Sequence, residues 1–180
     1  MNKYLEVILL IGLALVLYLF GFWLQSVIFQ FTEHLPGINW FYLPAGLRVV
    51  LVFVMGLPAA FGIGIASLLI DVYYYPEFSS SKLLLTAIAS GFSPWVVLFF
   101  LRRLKAGWGP GMDGLRWSDL MTYALLYSMA NAVLHQVMWA YSGDQGHIWW
   151  IDLWPMFVGD LLGAIALLSL MRLVLRAKRR

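Results

Sequence analysis

The sequence predicts an all-α fold, a polytopic transmembrane helical bundle with about six membrane segments, and three observations carry that reading. Of the 180 residues, 62% are hydrophobic and only 12% are charged, whereas soluble domains are nearer half apolar and a quarter charged. The mean hydropathy is +0.82. Hydrophobic runs fall near residues 4–28, 44–55, 57–72, 83–104, 118–140 and 153–175, divided by polar or Pro/Gly punctuation. They use nearly all of the chain, so residues 1–180 read as a single integral membrane domain. No room is left for a soluble catalytic or DNA-binding domain.

Four of the runs reach the roughly 20 residues that cross about 30 Å of hydrocarbon. The first, Tyr4 to Ile28, is too long for a signal-peptide core and lacks a small-x-small cleavage site, so it is expected to stay as an anchor. The next two lie in "LPAGLRVVLVFVMGLPAAFGIGIASLLID", which is one long tilted helix or two short ones hinged at Gly56-Leu57-Pro58. Proline lacks the helical donor and glycine loosens the chain beside it, so two segments are expected. Each is short for a full crossing and needs tilt or extension into its flanks.

The last three runs are ordered by charge. "RRLKAGWGPGMDGLR" carries Arg102, Arg103, Lys105 and Arg116 against Asp113, and the tail carries Arg172, Arg176, Lys178, Arg179 and Arg180. These stretches hold nine of the 12 Lys and Arg residues and are separated by two crossings, so both are expected in the cytoplasm. The connections 29–43, 73–82 and 141–152 contain Glu33, Glu77, Asp144 and Asp152 with Lys82 as their base, and belong outside. Six segments then place both termini in the cytoplasm; five would put the N-terminus outside. The aromatic clusters "INWFYLP", "DVYYYP", "VMWAY" and "HIWWIDLWP" suit the outer interface, and Trp108 and Trp117 flank the basic inner loop.

That orientation gathers the polar residues at one level. Pro44 starts its segment at the outer face, which puts Arg48 about 6 Å inside, and Asp160 falls at roughly 10 Å depth. Ser128, Asn131 and His135 share a helix face, and Asp71 ends the third segment on the same side. Thr86 and Ser90 occupy the outer half of the fourth. A charge at mid-membrane costs about 2.5–3.5 kcal/mol on insertion scales, so these groups should face one another. Arg48 with Asp160 is the expected pair, with His135 able to join. Such a pair serves equally as a ligand site or as a staple that sets helix register.

Other chemistry finds little support. The absence of cysteine excludes disulfides, thiolate chemistry and iron–sulfur sites. His34, His135 and His147 share no ligand spacing, so neither a metal site nor a cofactor is expected. "FGIGIAS" lacks the strand and lysine of a phosphate loop, and no nucleophile–base arrangement stands out, so no enzyme is expected. The net charge of +3 is no nucleic-acid signature. Gly159 with Gly163 forms a G-x-x-x-G, and Gly62 with Ala66 a similar small-residue face, both read as helix-packing surfaces.

The order of signals resembles a known family. "NWFYLPAGLRVVLVFVMG", "LLLTAIASGFSPWVVLFFLRRL" and "FVGDLLGAIALL" are similar to the entry, basic-ended and closing helices of the MASE1 family of bacterial integral membrane sensory domains. The resemblance covers about Trp40 to Leu168. It implies a sensory domain that binds a small ligand or a partner helix within the bilayer. Family members usually precede cyclase, phosphodiesterase or kinase modules; here output is expected to pass through a partner protein. Two other readings stand beside it: the substrate-binding subunit of a vitamin uptake transporter, and a structural subunit of a membrane complex.

Overall fold

The computed structural model describes residues 2–104, 116–142 and 148–177, the last with side chains to residue 173. Lys105, Trp108, Asp113, Asp144, His147, Lys178, Arg179 and Arg180 lie outside the described residues, and the Arg176 side chain is likewise not described. The described residues form six α-helices: α1 (Lys3–Ile28), α2 (Leu43–Met55), α3 (Leu57–Tyr74), α4 (Ser80–Leu104), α5 (Trp117–Tyr141) and α6 (Trp149–Ala177). Between α1 and α2 the chain makes a short 3-10 turn and a small antiparallel hairpin, β1 (Glu33–Leu35) and β2 (Ile38–Asn39), which turns through Gly37 at φ 83°. The sequence reading had no strand there.

Local chemistry starts the helices. The Asn2 side chain accepts from the Tyr4 N–H, and the Asp119 carboxylate accepts from the Arg116 N–H at the head of α5. Pro44 and Pro58 sit in the first turns of α2 and α3, where a missing N–H removes one of the orphan donors. By length and composition, α1, α3, α4 and residues Trp149–Leu173 of α6 can cross a membrane. These are four helices against the six segments expected. The 13 residues of α2 are too few, and α5 is diluted by Ser128, Asn131, His135 and Gln136.

The short helix is the hub. α2 packs against every other helix, while α1, α3, α4, α5 and α6 follow one another around it. Its own sequence allows this: Ala45, Val49 and Val52 are fully buried, and apolar residues lie on all its sides. Arg48 is therefore carried into the middle of the bundle.

The chain reverses at Gly56. Along one straight helix, Arg48 and Asp71 would stand about 35 Å apart at 1.5 Å per residue, yet both line the same cavity. Gly56 makes the turn at φ 66° and ψ −137°, a conformation nearly closed to residues with a Cβ. Gly56→Ala is expected to destabilise the protein by about 1–3 kcal/mol, measurable as a lower thermal midpoint in detergent. No neighbour stands where that Cβ would go, so the loss would be conformational alone.

Contacts show which helix ends lie together. At one end, Gln25 near the end of α1 holds the start of α2, and Tyr75 beyond α3 donates to Glu33. At the same end His34 in the hairpin meets Asp152 of α6 at 3.3 Å. At the opposite end Arg102 reaches the Phe53 carbonyl and Arg172 lies over Trp117. The start of α1 and the described end of α6 both lie at this second, basic end.

Small residues bring the elements this close. A Cβ on Gly62 would stand 2.5 Å from the Ile11 carbonyl of α1, and Ala66 one turn later is fully buried. On α6, a Cβ at Gly159 would fall on the Asn39 carbonyl and one at Gly163 on the Tyr42 carbonyl. The G-x-x-x-G thus receives both the chain entering α2 and the first turn of that helix, where Gly46 lies against the Gly163 carbonyl, and the Gly159 carbonyl accepts from the Tyr42 N–H at 3.1 Å.

Candidate functional site

Arg48 is 4% exposed and is held by hydroxyls. Its Nε donates to the Tyr18 hydroxyl at 2.8 Å, one terminal nitrogen to Ser90 at 3.0 Å and the other to Tyr127 at 3.4 Å. The Tyr18 and Tyr42 rings each lie 5.3 Å from the guanidinium carbon, in range for cation–π attraction. Four helices and the segment before α2 contribute to this seat. Three of the five N–H groups of a guanidinium are used, and the others have no protein acceptor.

A hydrogen-bond chain leads away from the arginine. His135 Nδ1 stands 2.9 Å from the Asn131 carbonyl, which can only accept, so Nδ1 carries a proton. In the neutral ring Nε2 then accepts from Ser90 at 3.3 Å, while Ser90 accepts from Arg48. Asn131 is fixed in the same way. Its Oδ1 accepts from Ser93 at 2.8 Å, which turns Nδ2 onto Asp160 at 2.6 Å.

A cavity of about 40 Å³ runs from Arg48 and Asp160 toward Gly37, Tyr75 and Phe78 at the hairpin end. All five residues of the expected cluster, Arg48, Asp160, His135, Asn131 and Asp71, line it. The expected direct pair is absent, however: no ion pair within 4.0 Å joins Arg48 to Asp160. The reason lies in who reaches the arginine first. Tyr18, Tyr127 and Ser90 occupy its used donors, and Asn131 lies against the carboxylate.

Asp71 and Ser67, an i, i+4 pair on α3, also line this cavity. Both are buried, and Asp71 Oδ2 and Ser67 Oγ have no partner. At the mouth, Tyr75 donates to Glu33 at 3.2 Å; its burial first, and then that carboxylate, push its hydroxyl pKa well up. Trp139 closes another side and donates to Thr86 at 2.7 Å. Gln136, also buried, has neither amide atom partnered, and nothing nearby explains it.

Sequence reasoning missed Tyr18, Tyr42, Tyr127, Gln25 and Ser67. A polar side chain in mid-run was the available signal for Tyr18, which lies well inside a 26-residue apolar helix. Among the described residues no group of three or more potential metal ligands is present.

The revised geometry changes one expectation. Asp160→Ala should strand Asn131 Nδ2 and cost about 1–3 kcal/mol. Its coupling to Arg48→Met in a double-mutant cycle of thermal stability should stay near 1 kcal/mol or less, since no bond joins the two. Coupling of several kcal/mol would restore the direct pair.

No family model matches the chain, and no curated protein or solved structure matches it.

Proposed function

We propose that this is a multi-pass protein of the bacterial inner membrane, MASE1-like and sensory rather than enzymatic, whose central chamber receives a small polar solute beside Arg48. One observation carries the reading. Arg48 is seated by neutral hydroxyls and left with spare donors against a cavity, whereas a register staple would close directly on a carboxylate. A buried ionisable group that lines a cavity within a membrane bundle marks a solute or ion pathway.

Size argues against the transporter-subunit alternative. Drug- and vitamin-sized ligands occupy pockets of about 300–1,000 Å³, and this cavity is about 40 Å³. The charge at the two ends supports the orientation. Arg102, Arg103, Arg116 and Arg172 gather at one end of the bundle, and Glu33, Glu77 and Asp152 at the other. The basic end belongs in the cytoplasm, and a partner protein there would carry the output.

Two measurements test this. Reporter fusions should place both termini in the cytoplasm, with α2 and α3 counting as an even pair; an external N-terminus would refute the orientation. The chain has no cysteine, so Ser67→Cys introduces a unique thiol at the chamber. That thiol should react with a small methanethiosulfonate added outside the cell membrane. An inert thiol would mean that the cavity is closed and the pair of α3 merely structural.

A further inference from the structure

The chamber's two walls are chemically opposite, and that difference selects a ligand. On one wall Arg48 keeps N–H groups with no protein acceptor. On the other, Asp71 Oδ2 and Ser67 Oγ have no partner of any kind, at 7% and 4% exposure. Buried polar groups are nearly always satisfied in native structures, so two open acceptors one helical turn apart, in the same cavity lining as a donor-rich cation, mark a place for something else. Both walls line the same cavity, yet no ion pair closes it.

Two further facts narrow the occupant. One water needs about 10–15 Å³ of this kind of space, so about 40 Å³ holds roughly three water-sized groups. Both signs of charge are already present in the lining, Arg48 beside Asp71 and Asp160. An added anion would stand against two carboxylates, and an added cation against the guanidinium. An uncharged molecule upsets neither.

Resting on the proposed solute chamber, the geometry points to a small, uncharged amide- or urea-type ligand, its carbonyl oxygen on Arg48 and its N–H groups on Asp71 and Ser67. Such a molecule is planar, carries a strong acceptor and strong donors on opposite sides, and needs little space. Each hydrogen bond it makes involves a charged or otherwise orphaned partner, the class with the larger net contribution.

The test uses three solutes with one skeleton and three charges: acetamide, acetate and acetamidinium. Thermal unfolding of the full chain in detergent is followed as each is titrated, because a ligand that binds only the folded state raises its midpoint saturably. Acetamide should stabilise the protein, and the two ions at equal concentration should not. Asp71→Ala should weaken acetamide binding roughly tenfold or more. Asp71 bonds no other side chain, so the variant is expected to fold; Ser67→Ala, which removes the second open acceptor, serves if it does not.

Stabilisation by acetate or acetamidinium instead of acetamide would overturn the uncharged class while leaving a solute chamber in place. No response to any of the three, with the Ser67→Cys thiol reactive, would likewise overturn the amide assignment alone. No response with an inert thiol would remove the chamber reading as well. An acetamide effect unchanged in both Asp71→Ala and Ser67→Ala would place the binding elsewhere and refute the proposal.

Discussion

Arg48→Met is expected to destabilise the bundle by about 3–5 kcal/mol, the range seen when one member of a buried charged network is removed. Methionine matches the length of the stem, so the loss would come from chemistry rather than from a void. Tyr18, Tyr127 and Ser90 would each lose the donor they now receive, and Asp71 would line the cavity without a nearby guanidinium. Arg48→Lys keeps the charge but not the planar fork, so it should fall between wild type and the methionine variant. Adding Asp71→Asn to Arg48→Met should recover part of the stability. Thermal unfolding in detergent reads all three, and an Arg48→Met midpoint equal to wild type would show that the guanidinium makes no net contribution.

The other large effect belongs to a residue with no side chain. Gly163→Val should cost about 3 kcal/mol, at the upper end of overpacking penalties, because its Cβ would fall on the Tyr42 carbonyl. Backbone cannot swing aside as a side-chain tip can. The segment before α2 would lift from α6, stretching the Tyr42 N–H bond to Gly159 and shifting the Tyr42 ring away from Arg48. Gly12 offers the control: nothing lies within 4 Å of a Cβ built there, so Gly12→Val should change stability by about 0.5 kcal/mol or less. Equal losses in both variants would mean that the close approach to α6 is unimportant.

What the sequence made legible follows from which forces are local. Helix positions follow from runs of apolar residues, and the break at Gly56-Leu57-Pro58 from the chemistry of proline and glycine. The direction taken after that break does not, because a hinge and a full reversal share the same local signal. Burial of Arg48 follows from its cost in lipid, but the identity of its partners does not. Tyr18 and Tyr127 meet it across 30 and 79 residues of chain, and tyrosine in a hydrophobic run reads as an interfacial anchor. The hairpin at 33–39 had a visible cue in Pro36-Gly37, although its strands are too short for any alternating pattern. Asp160 lines the same cavity as Arg48, as expected, but with a different partner, since nothing in the sequence shows that Asn131 arrives within 2.6 Å of it.

Proline has a further consequence in this fold. Thirteen residues of helix reach about 20 Å, so in the proposed orientation the turn after α2 stands about 10 Å short of the far edge of a hydrocarbon layer about 30 Å thick. Water cannot solvate a bend at that depth, and each unmatched amide hydrogen there is a standing energetic debit. The bend has few of them. Gly56 N–H returns to the Val52 carbonyl, Ala59 and Ala60 N–H both reach Gly56, and Pro58 has none to place. In that orientation, the ring that breaks helices in water lets a polypeptide change direction inside oil.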